Sequence, residues 1–209
     1  MEIIWYGHAC FRLKGKQGTV VTDPYDKSLG LSLPNLKADI ITISHDSPHH
    51  NAIDNVKGEY KVVNSPGEYE INDIFVTAVN MDSAKNSSSR NIVYVIDLEE
   101  IKVCHMGDLN QVPNQSQVED MGNIDVLLVP VGGRQALNAT QAAEVISLIE
   151  PYMVIPMHYQ LPRLKIEFDP VSKFLKEMGI TKSDTVDSLK ITQTTLPEET
   201  QIILLEAKQ

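Results

Sequence analysis

An α+β domain of two sheets with helices packed outside is the fold this sequence predicts, and three observations predict it. Through residue 106 the chain runs in short apolar segments broken by turn residues, the pattern of paired strands. After residue 110 strand-like and helix-like segments alternate. Between them, Val126 to Val131 is wholly apolar, as expected of a strand buried on both faces. With 209 residues, 42% of them hydrophobic, the chain is long enough for one sizeable core, so residues 1–209 read as a single domain.

Taken in order, Ile3 to Trp5 and Cys10 to Leu13 read as strands interrupted at Gly7-His8. Gly15 to Gly18 turns the chain into Thr19 to Thr22, and Asp23-Pro24 ends that strand. A polar loop over 26–38 precedes the buried strand Asp39 to Ile43. Short strands follow at 60–63, 69–71, 74–79, 91–97 and 101–106, with the small, polar stretch 81–89 read as a loop. Gln115 to Met121 is expected as a short helix. Asn138-Ala-Thr140 can cap a helix over 141–149, on which Ala142, Val145, Ile146 and Ile149 share one face. A strand over 152–157 stops at His158. Asp169-Pro170 then starts a helix to Met178, with Gly179 beyond its end. Late strands are expected at 190–194 and 201–205. Cys10 and Cys104 sit in apolar runs without CxxC spacing and read as buried thiols.

A formal charge of −10 argues against a grip on a nucleic-acid backbone, which needs clustered Lys and Arg. No apolar run approaches the roughly 18 residues of a membrane span, and no charged leader precedes an apolar block. The expectation is a soluble, cytoplasmic protein acting on a small molecule, with no nucleic-acid or membrane partner; its oligomeric state is open.

Chemistry points to the strand ends. Of the six histidines, five lie at or just past the end of an apolar run. Ile40 to Asn51 delivers His45, His49 and His50 into one loop, where two or three imidazoles could ligate a metal. Asp108, after Gly107, and His158, after Pro156-Met157, end two further apolar strands. Together they supply the nitrogen and oxygen donors that Zn²⁺, Mn²⁺ or Fe²⁺ accepts.

These motifs also resemble a family. Trp5 to Phe11 around Gly7-His8, Thr22-Asp23-Pro24, Ser44 to Asn51, Pro66-Gly67-Glu68, His105 to Asp108, Pro130 to Gly133 and Pro156 to Tyr159 occur in the order seen in metallo-β-lactamase-fold, metal-dependent hydrolases of a lactonase-like branch. The resemblance spans essentially the whole chain. It implies a four-layer αββα sandwich with one or two metals at the edge between the sheets. The family's usual loop is His-x-His-x-Asp-His. Here His45 and His50 match its ends, while Ser47 stands for the second histidine and His49 for the aspartate. A further loop histidine is missing near Met81. The resemblance therefore implies that the first metal position goes unfilled, and that one divalent ion, zinc foremost, is held by His49, His50, Asp108 and His158.

In that mechanism the metal activates a water, which Asp108, or Asp82 from the polar loop, would orient for attack on an ester, lactone or phosphodiester. Supporting or substrate-facing roles are open for His8, Asp23, Ser47, Glu68 and His105. His8 reads equally as a structural residue, Asp23 as a brace for the histidine loop, Glu68 as a turn carboxylate, and His105, out of phase with Asp108, as a packed residue. The alternative to an enzyme is a non-catalytic relative that keeps the pocket for a ligand or partner, with no metal bound.

Overall fold

The computed structural model describes residues 1–81 and 91–209. The expected loop over 81–89 therefore lies, beyond Met81, outside the described residues, as does Asp82. Strands β1 (Glu2–Trp5), β2 (Phe11–Lys14), β3 (Thr19–Thr22), β4 (Ile40–Thr42) and β5 (Lys61–Val63) come first. Then come β6 (Gly67–Ile71), β7 (Ile74–Asn80), β8 (Ile92–Leu98), β9 (Ile101–His105), β10 (Val126–Pro130), β11 (Met153–Met157), β12 (Leu189–Lys190) and β13 (Gln201–Ile202). One sheet has six strands in the order β12-β1-β2-β3-β4-β5, the other seven in the order β13-β11-β10-β9-β8-β7-β6.

Alternation of side chains puts the two faces of the first sheet to different uses. Ile3, Trp5, Val20 and Ile40 enter the main core, which also holds Ile74, Val93, Tyr94 and Val103 from the second sheet. Ile4, Tyr6, Val21 and Ile41 point the other way, into a smaller cluster with Tyr25, Leu29 and Leu36. Helices α1 (Gln115–Met121) and α2 (Ala139–Ile149) pack against the second sheet, and α3 (Val171–Glu177) packs on α2. Ala142, Val145 and Ile146 of α2 are buried, and Asn138 closes a capping box with Gln141, a device worth about 1 kcal/mol.

Among the described residues, the layer over the outer face of the first sheet is thinner than a helix. It is built from two 3₁₀ turns (Lys27–Leu29 and Ile53–Asn55) and loop, because Pro24, Gly30, Pro34, Pro48 and Gly58 interrupt any helical run there. The strand expected over 190–194 ends at Lys190, since Thr192 and Thr195 cap each other across the 3₁₀ turn Gln193–Thr195. The last strand is split: Gln201–Ile202 pairs with β11, and Leu204–Leu205 with Thr185–Val186. Cys10 and Cys104 are both buried free thiols.

β3, β4 and β5 run parallel to one another, as do β9, β10 and β11. In register, His105 lies beside Leu128 and Pro130 beside Met157, so the C-terminal ends of these strands share one edge. Loops leaving that edge carry Asp108, Arg134 and His158; the loop leaving β4 carries His45, His49 and His50, and the turn after β1 carries His8.

Candidate metal centre

Each functional side chain is aimed by local structure. His8 follows β1 on left-handed backbone (φ +51°), after Gly7 at φ +94°. Its carbonyl accepts from Trp5 Nε1 at 3.0 Å and from His158 N at 3.1 Å, which ties the first turn to the end of β11. Thr22 Oγ1 donates to the next carbonyl, Ala9 O, at 2.9 Å; His105 Nε2 lies 2.8 Å from the same oxygen. Asp23, at φ +39°, accepts Ser44 N at 2.7 Å and braces the start of the histidine loop. Its Oδ2 lies 2.8 Å from His50 Nδ1. Asn91 Oδ1 accepts Asp108 N at 2.9 Å while its Nδ2 donates to Met106 O, holding the Gly107-Asp108 turn. Gly132 is required where it sits: a Cβ there would lie 2.1 Å from His158 O.

The result is a pocket of about 160 Å³ lined by His8, His45, Ser47, His49, His50, Asp108, Arg134, Gln135, His158, Ile166 and Phe168. Two trios within it bring ligating atoms to within 4.8 Å of one another: His8, His50 and His158, all buried, and His45, His50 and Asp108. His8 Nε2 and His50 Nε2 are 3.0 Å apart. Asp108 spans the two groups, its Oδ1 2.9 Å from His158 Nε2 and its Oδ2 3.8 Å from His45 Nε2. Asp108 Oδ1 is itself buried, with His158 Nε2 as its near contact.

Electrostatics follow from this crowding. Burial, then the neighbouring imidazoles of His158 and His50, push His8 well below the usual histidine range. Burial first, then His50, lowers His45. His50 goes the other way: burial opposes its charge, but the hydrogen bond and charge of Asp23, with Asp108 behind, raise it. Burial raises the Asp108 carboxyl, yet His158, His50 and His45 outweigh it and hold Asp108 far below the ordinary carboxylate range. A half-buried carboxylate beside imidazole nitrogens that face one another can hold a cation, and this donor set suits a divalent transition metal.

Not every sequence candidate converges here. His49 lines the pocket but stays out of both trios, with its Nε2 3.1 Å from Ser28 Oγ. Ser47 lines the pocket. Glu68 is exposed on β6 and does not line it. His105 is fully buried on β9, bonded to the turn behind His8 rather than facing the pocket. Arg134, Gln135, Ile166 and Phe168 are walls that sequence reasoning missed. Pro130 to Gly133 marked the neighbourhood of the first two; nothing marked Ile166 or Phe168.

Two sheets with helices outside and a histidine–aspartate cluster at their edge define a domain of the metallo-β-lactamase fold. The chain belongs to the family described as the Beta-lactamase superfamily domain, whose pattern matches residues 2–158. A crystal structure of a metallo-beta-lactamase superfamily protein from Thermotoga maritima superposes with a TM-score of 0.82 at 38% identity, covering 98% of this chain and 97% of that one. A UPF0173 metal-dependent hydrolase of Thermoplasma acidophilum is 29% identical over 188 residues, 76% of this chain and 83% of the relative. A UPF0173 protein of Pyrococcus abyssi is 28% identical over 182 residues with the same shares. Among the described residues, no helix is long and apolar enough to cross a membrane.

Proposed function

We propose that this protein is a hydrolase that works with a single divalent metal ion, zinc foremost, and cleaves an ester, lactone or phosphodiester in a small molecule. The observation that carries the reading is the convergence of four imidazoles and the Asp108 carboxylate in one pocket. Relatives named metal-dependent hydrolases support it. The ion's ligands would come from His8, His45, His50, Asp108 and His158, and a metal held there would supply a more acidic water and a Lewis acid for the substrate oxygen.

The chain's own residues supply the rest. Asp108, lowered by the imidazoles around it, is the charged acceptor in the pocket that would orient a water proton. Asp23 fixes the His50 ring and directs its Nδ1 proton inward, leaving Nε2 to face the pocket. Phe168, whose ring centroid lies 4.6 Å from that of His158, and Ile166 make one wall apolar and keep bulk water off the cluster. About 160 Å³ is small beside the roughly 300–1,000 Å³ of drug-sized sites, which favours a small substrate or the tip of a larger one.

The test is metal analysis of untagged protein together with a panel of lactones, aryl esters and phosphodiesters. The expected result is near-stoichiometric divalent metal and a hydrolysis removed by chelator and restored by metal. Protein that stays empty in excess metal would sink the reading in favour of a non-catalytic relative.

A further inference from the structure

Ser47 offers no imidazole and His49 is turned to Ser28, so two positions of the usual ligand pattern are not filled from the histidine loop. The fully buried trio contains instead a histidine from outside that loop, in the turn after β1. We propose that His8 is a metal ligand, and that the ion sits among His8, His50 and His158 with Asp108 as the carboxylate donor. The proposal rests on the metal-dependent reading above and specifies its ligand set.

Geometry carries it. Nitrogens bound at 2.0–2.1 Å to a tetrahedral zinc are about 3.3 Å apart. His8 Nε2 and His50 Nε2 are 3.0 Å apart, and the whole trio falls within 4.8 Å, so the spacing is already close to a coordinated set. The His8 and His158 rings stand 4.0 Å apart between centroids at 33°. With Asp23 accepting from His50 Nδ1, a neutral His50 presents a lone pair at Nε2. His8 Nε2 faces it, and without an ion only one shared proton can separate the two nitrogens. A divalent cation between them takes both Nε2 lone pairs and replaces that proton.

The backbone is arranged for this aim. Of ten non-glycine residues with positive φ among those described, His8, Asp23, Arg134 and His158 all belong to the pocket or its brace. Such conformations persist where surrounding contacts over-determine them, and His8 is pinned by Trp5 and His158 at its own carbonyl and by Thr22 and His105 at the next. A spectator histidine would need none of this.

Calorimetric zinc titration at pH 7.5, with cobalt absorption as a second reading, tests it on wild type, His8→Asn and His49→Ala. Asparagine tolerates the left-handed backbone better than most residues. The expected result is one equivalent in wild type, at least a hundredfold weaker binding in His8→Asn, and less than a threefold change in His49→Ala. Wild-type binding with His8→Asn within threefold of it overturns this ligand set and leaves the hydrolase reading standing; no binding by wild type overturns both. Nitrogen-15 histidine spectra of the wild type with and without zinc remove any dependence on how the variant folds. Zinc should move the ring nitrogens of His8, His50 and His158 but not His49, and an unmoved His8 overturns the proposal.

Discussion

Asp23 Oδ2 lies 2.8 Å from His50 Nδ1 with both side chains buried, and the same carboxylate accepts the backbone N–H of Ser44 at 2.7 Å. One residue at the end of β3 thus sets both the path of the histidine loop and the direction of its last ring. Asp23→Ala leaves Ser44 N, Ser44 Oγ and His50 Nδ1 without their acceptor. At about 1–3 kcal/mol for each abandoned group, the loss of stability is expected near 3 kcal/mol. Metal affinity should fall 10–100-fold, as for other carboxylates behind a ligating histidine. Urea unfolding of the chelated protein and zinc titration check the two halves separately. Unchanged affinity would mean that His50 does not bind metal.

Gly107 separates the contribution of backbone conformation from that of contact. At φ +58°, a Cβ there would meet Ser44 Cβ at 2.3 Å and Asn91 Oδ1 at 2.7 Å, both of which hold site loops. Gly179, at φ +70°, has nothing within 4 Å. Gly179→Ala should cost only the left-handed penalty of about 1–2 kcal/mol. Gly107→Ala should cost about 2 kcal/mol more, because the clash displaces backbone, and it should also weaken metal binding through Asp108. Equal costs in thermal unfolding would show that Ser44 and Asn91 yield freely.

The pH dependence of the metal-free protein has a definite sign. His8, His45, His49 and His105 are all lowered, chiefly by burial. The unfolded chain therefore takes up protons that the folded chain refuses, and stability falls as pH drops below about 6.5. His50 is raised by Asp23 against its burial, so its contribution is full below about 6.5 and is lost as pH climbs through its folded value. Asp23 and Asp108, both lowered despite burial, withdraw their contributions only below about 3.8. Chelated protein should show a urea midpoint that peaks near pH 6.5, with a steep acid limb and a shallow alkaline one. A midpoint that rises steadily from pH 7 to 9 would mean that the His50–Asp23 pair is not formed.

Much of this architecture was legible because strands announce their ends. Apolar runs stopping at Asp108 and His158 placed two groups at one edge, since β9, β10 and β11 run parallel and in register, and the run stopping at His45 ends β4 of the first sheet, itself parallel to β3 and β5. The α2 cap was equally readable, Asn138 and Gln141 standing at the spacing of a capping box. His8 was harder to read. A single histidine after a glycine has no spacing to interpret, and its aim depends on Trp5, Thr22, His105 and His158, which only the fold brings together. The direction of His49 is set by Ser28, 21 residues away in the 3₁₀ turn Lys27–Leu29. Ile166 and Phe168 reach the pocket on a segment without regular structure, where hydrophobic period gives no signal.

Writing the family's usual loop pattern into this chain tests the single-metal proposal. Ser47 and His49 both line the pocket, beside the trio of His45, His50 and Asp108 that has one imidazole fewer than the buried one. In the paired variant Ser47→His and His49→Asp, an imidazole and a carboxylate are added on that side. The variant gives up the contact of His49 with Ser28, its edge contact with the His8 ring and the bond from His49 N to Ser47 Oγ, each a weak interaction. Metal content is expected to rise from one equivalent toward two, measured by elemental analysis after dialysis against zinc. The second equivalent should be the weaker, because the histidine missing near Met81 is not replaced. If content stays at one, the loop backbone directs positions 47 and 49 away from the His45 side, and the single-metal arrangement is a property of the loop's path rather than of its two substituted side chains.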